Sequence, residues 1–405
     1  MAELDIEGEL KYLSARQLAF IKQVLEKRGY TNKKVVVKPV GEKGDNYVAT
    51  VLRITVTENE REMFNVIAKV SSSIEIIRTQ VNQDAIFANE ILMYDEVLPK
   101  LNELQLAAGV PESDRFRIPA CYGTLAEKPH EILLLEDLSE SGFAIFERTK
   151  PLSEKSINLA VKKLAMFHSL TFALKAKEPQ TFDNYKSRLS SLFHLMHKKP
   201  ELEAYFAMLE NDILKVLDGD KYKNEVKNVV SQMATISVNL DERLNSSEPK
   251  YSVILQGDCW GNNIMFKSDV SSPVIDLFYL ILNCSTHYTP SERMRQLFDL
   301  YYSELDAFLQ KFDLDVGAVY PRDKFVNDLK IHAKLGLAQR CLMANILIRE
   351  GNDVIDVKDE GAFDFTNMEK SMEAFRITNT NAQTQDKLKK LVSGAIDTLL
   401  DLGYL

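Results

Sequence analysis

The sequence predicts an α+β protein with a small antiparallel, β-rich lobe followed by a larger, mostly helical one. Three observations lead there. Runs of β-branched residues crowd between residues 33 and 71. Apolar stripes at helical spacing fill almost everything beyond residue 155. The change of character falls near residue 138, after "LLLEDL". A chain of 405 residues is long enough to bury two such cores. The expected division is residues 1–138 for the first lobe and 139–405 for the second.

Ser14 opens the first helical pattern, "SARQLAFIKQVLEKRG", with Leu18, Ile21 and Leu25 on one face and Gly29 as its stop. Three strand-like segments follow, "KKVVVKPV" (33–40), "NYVATVLRITV" (46–56) and "EMFNVIAKVS" (62–71). The short joins "GEKGDN" and "TENERE" make them an antiparallel meander. Residues 80–105 read as one helix carrying Phe87, Ile91, Tyr94 and Leu98. "RIPACYGTL" and "EILLLEDL" come next, the latter a short buried strand closed by acidic residues. In the second lobe, Ile157, Val161, Leu164 and His168 stripe one helix, and residues 330–350 read as a core helix. Only 251–266 breaks the helical pattern there.

Bulk properties exclude several functions. The net charge of −9, with Lys and Arg dispersed, argues against nucleic acid or an anionic membrane as the main partner. The four cysteines have no C-x-x-C spacing, so neither a zinc site nor a disulfide scaffold is expected. A reducing, cytoplasmic compartment follows, and the acidic N-terminus has no apolar signal segment. No apolar run approaches membrane-spanning length. A monomer is expected.

The residues that carry chemistry are spread over both lobes. Lys69, in "VIAKV", projects opposite Ala68 and Val70 if the segment is a strand. Glu90, in "FANEILMY", stands on the next helix, where an ion pair would fix the reach of Lys69. Gly41 and Gly44 permit close backbone approach to phosphate. The strongest signal is "QGDCWGNN", residues 256–263. Asp258 follows a buried apolar strand, a costly place for a carboxylate that has no task, and Asn263 is placed to turn back as an oxygen ligand for a hard cation. His168 reads as a satisfied core histidine, and His194 and His197, three apart, lack a third ligand for a metal. The aromatics Phe182, Tyr185, Phe193 and Tyr205 read first as core and second as the wall of an acceptor cleft.

In order, the Gly-rich hairpin, "VIAKV", "FANEILMY", "LLLEDL", "KLAMFHSL", "GDCWGNNIMF" and "PVIDLFYLILNCS" resemble the ecdysteroid kinase-like family of arthropods, within the choline kinase-like and aminoglycoside phosphotransferase-like group. The resemblance runs from about residue 35 to 350. It implies a bilobal protein kinase-like fold and transfer of the γ-phosphate of ATP, with Mg²⁺, to a hydroxyl of a small lipophilic alcohol of ecdysteroid type. On this resemblance Lys69 meets the ATP phosphates with Glu90 as its partner. Gly44, Asp45 and Asn46 lie on the phosphate-covering turn. Glu136, Asp137 and Leu138 form the hinge that meets adenine. Asp258 is the catalytic base in a loop spanning 256–266, and Asn263 is a metal ligand. Asp276 supports that loop from the helical lobe.

The sequence departs from the family in two places. Gln256 stands where a histidine often precedes the catalytic aspartate, and an amide can hydrogen-bond there in its stead. More seriously, the family has a β-hairpin after the catalytic loop, ending in an Asp-Phe-Gln-like turn that chelates Mg²⁺. Here only six residues, Lys267–Ser272, separate Phe266 from Pro273, and no such string occurs. Two strands with their turns need roughly 15–20 residues. The metal site is therefore expected to be incomplete. Asp269 is expected some 15–20 Å away if the chain runs on as a strand at about 3.3 Å per residue. An active kinase, a relative that binds nucleotide or ligand without transfer, and a shortened isoform or gene-model error all remain open.

Overall fold

The computed structural model describes residues 4–41, 49–59, 61–80, 82–143, 149–197, 199–259, 269–350, 353–354 and 372–405. These divide into two compact units. The first draws on Met1–Pro99 and Arg117–Ile145, the second on Lys100–Phe116, Phe146–Ile355 and Asn367–Leu405.

The first unit is a sheet with one helix packed on a face. Its elements are β1 (Asp5–Gly8), α1 (Ala15–Lys27), β2 (Lys34–Pro39), β3 (Thr50–Glu58), β4 (Arg61–Val70), α2 (Glu75–Gln80), α3 (Gln83–Leu92), and, after a helix α4 (Leu98–Ala107), β5 (Cys121–Leu125) and β6 (Ile132–Glu136). The strands lie in the order β1-β2-β3-β4-β6-β5. β1 is parallel to β2, and every other pair is antiparallel. Alternate residues of the central strands (Val35, Val37, Leu52, Ile54, Val66, Ala68, Leu134) pack with Phe20, Ile21, Val24 and Leu25 of α1. Period-two alternation thus sends Lys69, which pairs with Val51 and Leu133, to the other face.

The helix expected after Ser14 begins there. The Ser14 hydroxyl accepts from Gln17 N at 3.2 Å, and Gln17 Oε1 accepts from Ser14 N at 2.8 Å, a complete capping box. Gly29, expected as its stop, has a positive φ of 87°. Two features differ from expectation. β1 is absent from the sequence reading because its four residues are mostly exposed and carry no alternating pattern. The single helix expected over 80–105 is α3, a five-residue π-helical segment Met93–Val97, and α4. Its apolar residues keep a helical spacing through the widened turn, so periodicity does not reveal the break.

The second unit is helical: α5 (Glu154–Lys177), α6 (Pro179–Arg188), α7 (Leu192–Met196), α8 (Pro200–Val216), α9 (Asp220–Val226), α10 (Met233–Ser247), β7 (Val253–Ile254), β8 (Val270–Ser271), α11 (Val274–Cys284), α12 (Ser291–Leu309), α13 (Val316–Val319), α14 (Arg322–Leu347) and α15 (Ala382–Leu402). α5 packs along α12, and α11 along α14. Phe172, Phe278, Phe298, Tyr301, Tyr320 and Phe325 fill the centre. α11, "VIDLFYLILNC", is apolar on nearly every side and accordingly buries nine of its eleven residues. Phe182 and Tyr185 are buried, and Phe193 and Tyr205, partly buried, pack against the helical core, so this aromatic set is structural. Together the two units form an α+β, kinase-like bilobal fold. No helix among the described residues is long and apolar enough to cross a membrane.

Candidate active site

The loop that follows β7 is held from behind by α11. Gly257 takes φ +82°, a left-handed conformation that glycine adopts without steric penalty. The turn exposes two consecutive backbone N–H groups to one carboxylate. Gln256 N donates to Asp276 Oδ2 at 2.6 Å, and Gly257 N donates to Asp276 Oδ1 at 2.9 Å. Asp276 lies in the first turn of α11, where the helix dipole favours a negative charge. It supports the loop as the resemblance implied.

Asp276 is itself held by His168 of α5, whose Nε2 lies 3.2 Å from Asp276 Oδ2. The other ring nitrogen, Nδ1, is 2.7 Å from the Tyr301 hydroxyl of α12. Burial pushes the Tyr301 phenol well above its ordinary pKa, so it remains a donor. The network therefore assigns a proton to His168 Nε2 and leaves Nδ1 accepting from Tyr301. His168 is fully buried and satisfied, as expected of a core histidine, and it also stands one residue removed from the catalytic loop.

Asp258 is 2% exposed. Its backbone N donates to the Gln256 side-chain Oε1 at 2.8 Å, so the amide in place of the usual histidine closes the turn. Tyr279, one turn beyond Asp276 on α11, donates its hydroxyl to Asp258 Oδ1 at 2.8 Å. Burial, then the neighbouring Asp258 charge, raises the Tyr279 phenol far above its usual range and keeps it a donor. Sequence reasoning missed Tyr279. The signal was its spacing of three from Asp276, which puts both on one helix face.

In the first unit, Lys69 and Glu90 form a buried ion pair between Nζ and Oε2, with the residues 3% and 0% exposed. Phe87, also on α3, presents its ring to the Lys69 ammonium. The structure thus brings this predicted pair together. Glu136 accepts from Arg117 Nη2 at 2.6 Å and from Ala120 N at 3.1 Å. Burial pushes the Asp137 carboxyl up, but hydrogen bonds from Ser139 and the Arg53 guanidinium outweigh it and hold the group below the usual range. Leu138 opens a 3₁₀ turn, Leu138–Ser141. Gly44, Asp45, Asn46 and Asn263 lie outside the described residues.

The strand expected beyond the loop, residues 264–267, lies outside the described residues. Val270–Ser271 pairs antiparallel with Val253–Ile254, and Leu255 N donates to Asp269 O at 2.9 Å. Asp269 therefore lies beside the strand that leads into the Asp258 loop. Burial, then the nearby Asp241 carboxylate, pushes the Asp269 carboxyl up to about 8. Asp241 is raised to about 6 by burial, against the Ser271 hydroxyl and the charges of His194 and Lys186. His194 Nδ1 is 3.8 Å from Asp241 Oδ2, while His197 faces Thr235.

Among the described residues no group of three or more His, Cys, Asp or Glu side chains could hold a metal ion. These residues alone do not fit Mg²⁺, and no step below is routed through it.

The model of the ecdysteroid kinase-like family matches residues 43–314. No curated protein matches the chain.

Proposed function

The chain belongs to the ecdysteroid kinase-like family, and from that premise we propose that it transfers the γ-phosphoryl group of ATP to a hydroxyl of a small lipophilic alcohol of ecdysteroid type. The observation that carries this reading is the setting of Asp258. A carboxylate buried at the exit of a strand is held in one plane by a phenol, in a loop whose backbone is pinned by a second carboxylate. That arrangement suits a base that accepts the proton of an attacking hydroxyl. Bound ATP supplies the transferable phosphoryl group. Lys69, oriented by Glu90, offsets phosphate charge. The Glu136–Leu138 backbone takes the adenine, Gly44, Asp45 and Asn46 meet the phosphates, and Asn263 would be one ligand of the accompanying metal ion.

A second reading is favoured by the six residues between Phe266 and Pro273, which leave no Asp-Phe-Gln-like metal aspartate. On that reading the chain binds nucleotide or ligand without transfer. Incubating the purified chain with ATP, Mg²⁺ and a panel of sterols and other alcohols separates the two. Under the first reading phosphate appears on an alcohol, and Asp258→Ala lowers the rate at least about 100-fold. Thermal stabilisation by nucleotide with no turnover on any acceptor would sink the kinase reading.

A further inference from the structure

The strand that leads into the Asp258 loop is too short to place itself. β7 is two residues long and pairs with two-residue β8, with one further bond from Leu255 N to Asp269 O at 2.9 Å. A ladder of that length is marginal alone. A slip of one residue would turn every side chain to the opposite face and take Asp258 out of position. Beyond β7 the chain is fixed by Asp276, which His168 of α5 holds in turn. Ahead of β7 it is fixed by a second residue of the same helix, Lys175.

Lys175 lies in the last turn of α5. Its Nζ donates to Pro249 O at 2.9 Å, to Ser252 Oγ at 2.8 Å and to Ser252 O. The Ser252 hydroxyl in turn donates to Pro249 O at 2.8 Å. Ser252 is fully buried and directly precedes β7. A lysine at a helix end ordinarily meets the final carbonyls of its own helix. Lys175 turns instead to acceptors 74 and 77 positions further along the chain. It stands seven residues after His168, two turns on along one face of α5 and about 10 Å along its axis. One helix therefore grips the chain directly before β7 and, through Asp276, directly after it.

The grip depends on charge. An ammonium has three protons, and here three oxygens receive them. The Phe182 ring of α6 lies 4.3 Å from Nζ. Burial, then the charge of Lys186 on α6, pulls the ammonium down to about 7, against Asp183, also on α6. Lys186 itself donates to Asn245 at 2.6 Å. On the segment ahead of β7, Glu248 pairs with Lys324 of α14, and the Lys250 ammonium lies over the Tyr251 ring. A neutral amine keeps two protons for three acceptors and turns its lone pair toward one of them.

We propose that Lys175 is a positioning residue, whose ammonium fixes the register of β7 and so the placement of Asp258 for phosphoryl transfer. This rests on the phosphotransferase reading above. The grip is complete below about pH 7 and loosens as pH rises through that value.

The chain's one tryptophan, Trp260, is two residues beyond Asp258 in sequence, so its fluorescence reports on the loop without any substrate. Asp241 and Asp269 titrate in the same range and remain in every variant, so the test reads differences from wild type. Wild-type emission should change in a step centred near pH 7. Lys175→Met should abolish that step. Lys175→Arg should abolish it too and hold the acid-form emission, because a guanidinium stays charged. Ser252→Ala removes one acceptor of the ammonium and should move the step at least half a pH unit lower; it decides the matter if Lys175→Met does not fold. With ATP, Mg²⁺ and ecdysone, Lys175→Met should lower kcat about tenfold with KM for ATP within a factor of two, and Lys175→Arg should restore kcat to within threefold and lose the wild-type fall above pH 7. A step that is absent from wild type, persists in Lys175→Met or stays in place in Ser252→Ala overturns the proposal. A step that depends on residue 175, with no transfer to ecdysone or any other alcohol, leaves the register role standing and removes the kinase reading. Transfer with the same kcat and pH profile in Lys175→Met does the reverse.

Discussion

On the proposed reading Tyr279 orients Asp258, to whose Oδ1 its hydroxyl donates. Tyr279→Phe keeps the ring and its packing but removes the hydrogen bond to Asp258 Oδ1. The expected result is a fall in kcat of about tenfold, with KM for ATP within a factor of two, read from initial rates. A second single-residue effect concerns stability. Asp269 and Asp241 have folded pKa values above the ordinary carboxylate range, because burial and mutual repulsion favour their protonated forms. The folded chain therefore binds more protons than the unfolded chain between about pH 4 and 8. Stability contributed by these groups is present at the acid end and is lost as pH rises through that window. Asp269→Asn removes one of the charges. It should raise the unfolding midpoint at pH 8 by a few degrees and leave it nearly unchanged at pH 4, as followed by thermal melts. At this scale the sequence was most informative where burial and charge conflict. Asp258 stood out because a carboxylate follows an apolar strand.

Among the elements, α11 carries the site. It presents Asp276 to two loop N–H groups and Tyr279 to Asp258, one turn apart, from a helix that is otherwise apolar. Asp276→Asn replaces one acceptor oxygen with a donor that faces an N–H. The loop then loses a charge-assisted hydrogen bond and gains a repulsive contact, at a cost of about 2–4 kcal/mol. Denaturant unfolding should show that loss, and transfer should fall at least about 100-fold. Elements with strong periodicity were legible before the structure: α1 from its cap to Gly29, the meander β2–β4, and the buried strand β6. Those set by tertiary pairing were not. β8 has two residues, too few for any pattern, and exists because it pairs with β7. The π-helical segment within residues 80–105 keeps the spacing of a regular helix and hides in it.

Across the whole molecule, the order of motifs defines the family and the spacing between them exposes its departure. The family model matches residues 43–314, narrower at both ends than the resemblance read from the sequence. Within that span Gln256, Gly257 and Asp258 are held by Asp276 and Tyr279, while the interval from Phe266 to Pro273 stays at six residues. The sequence therefore keeps the Asp258 and Asp276 motifs and departs where the resemblance places a metal aspartate.

The Tyr301–His168–Asp276 series has a consequence in time. Its links join residues 133 and 108 positions apart in sequence, on three different helices. Contacts so distant form late, after shorter loops have closed. A chain still folding can hold β7 and the Asp258 turn as local sequence, yet it has no means of aiming them until α5, α11 and α12 have met. The Asp258 loop thus takes its held form only once α5, α11 and α12 have packed together.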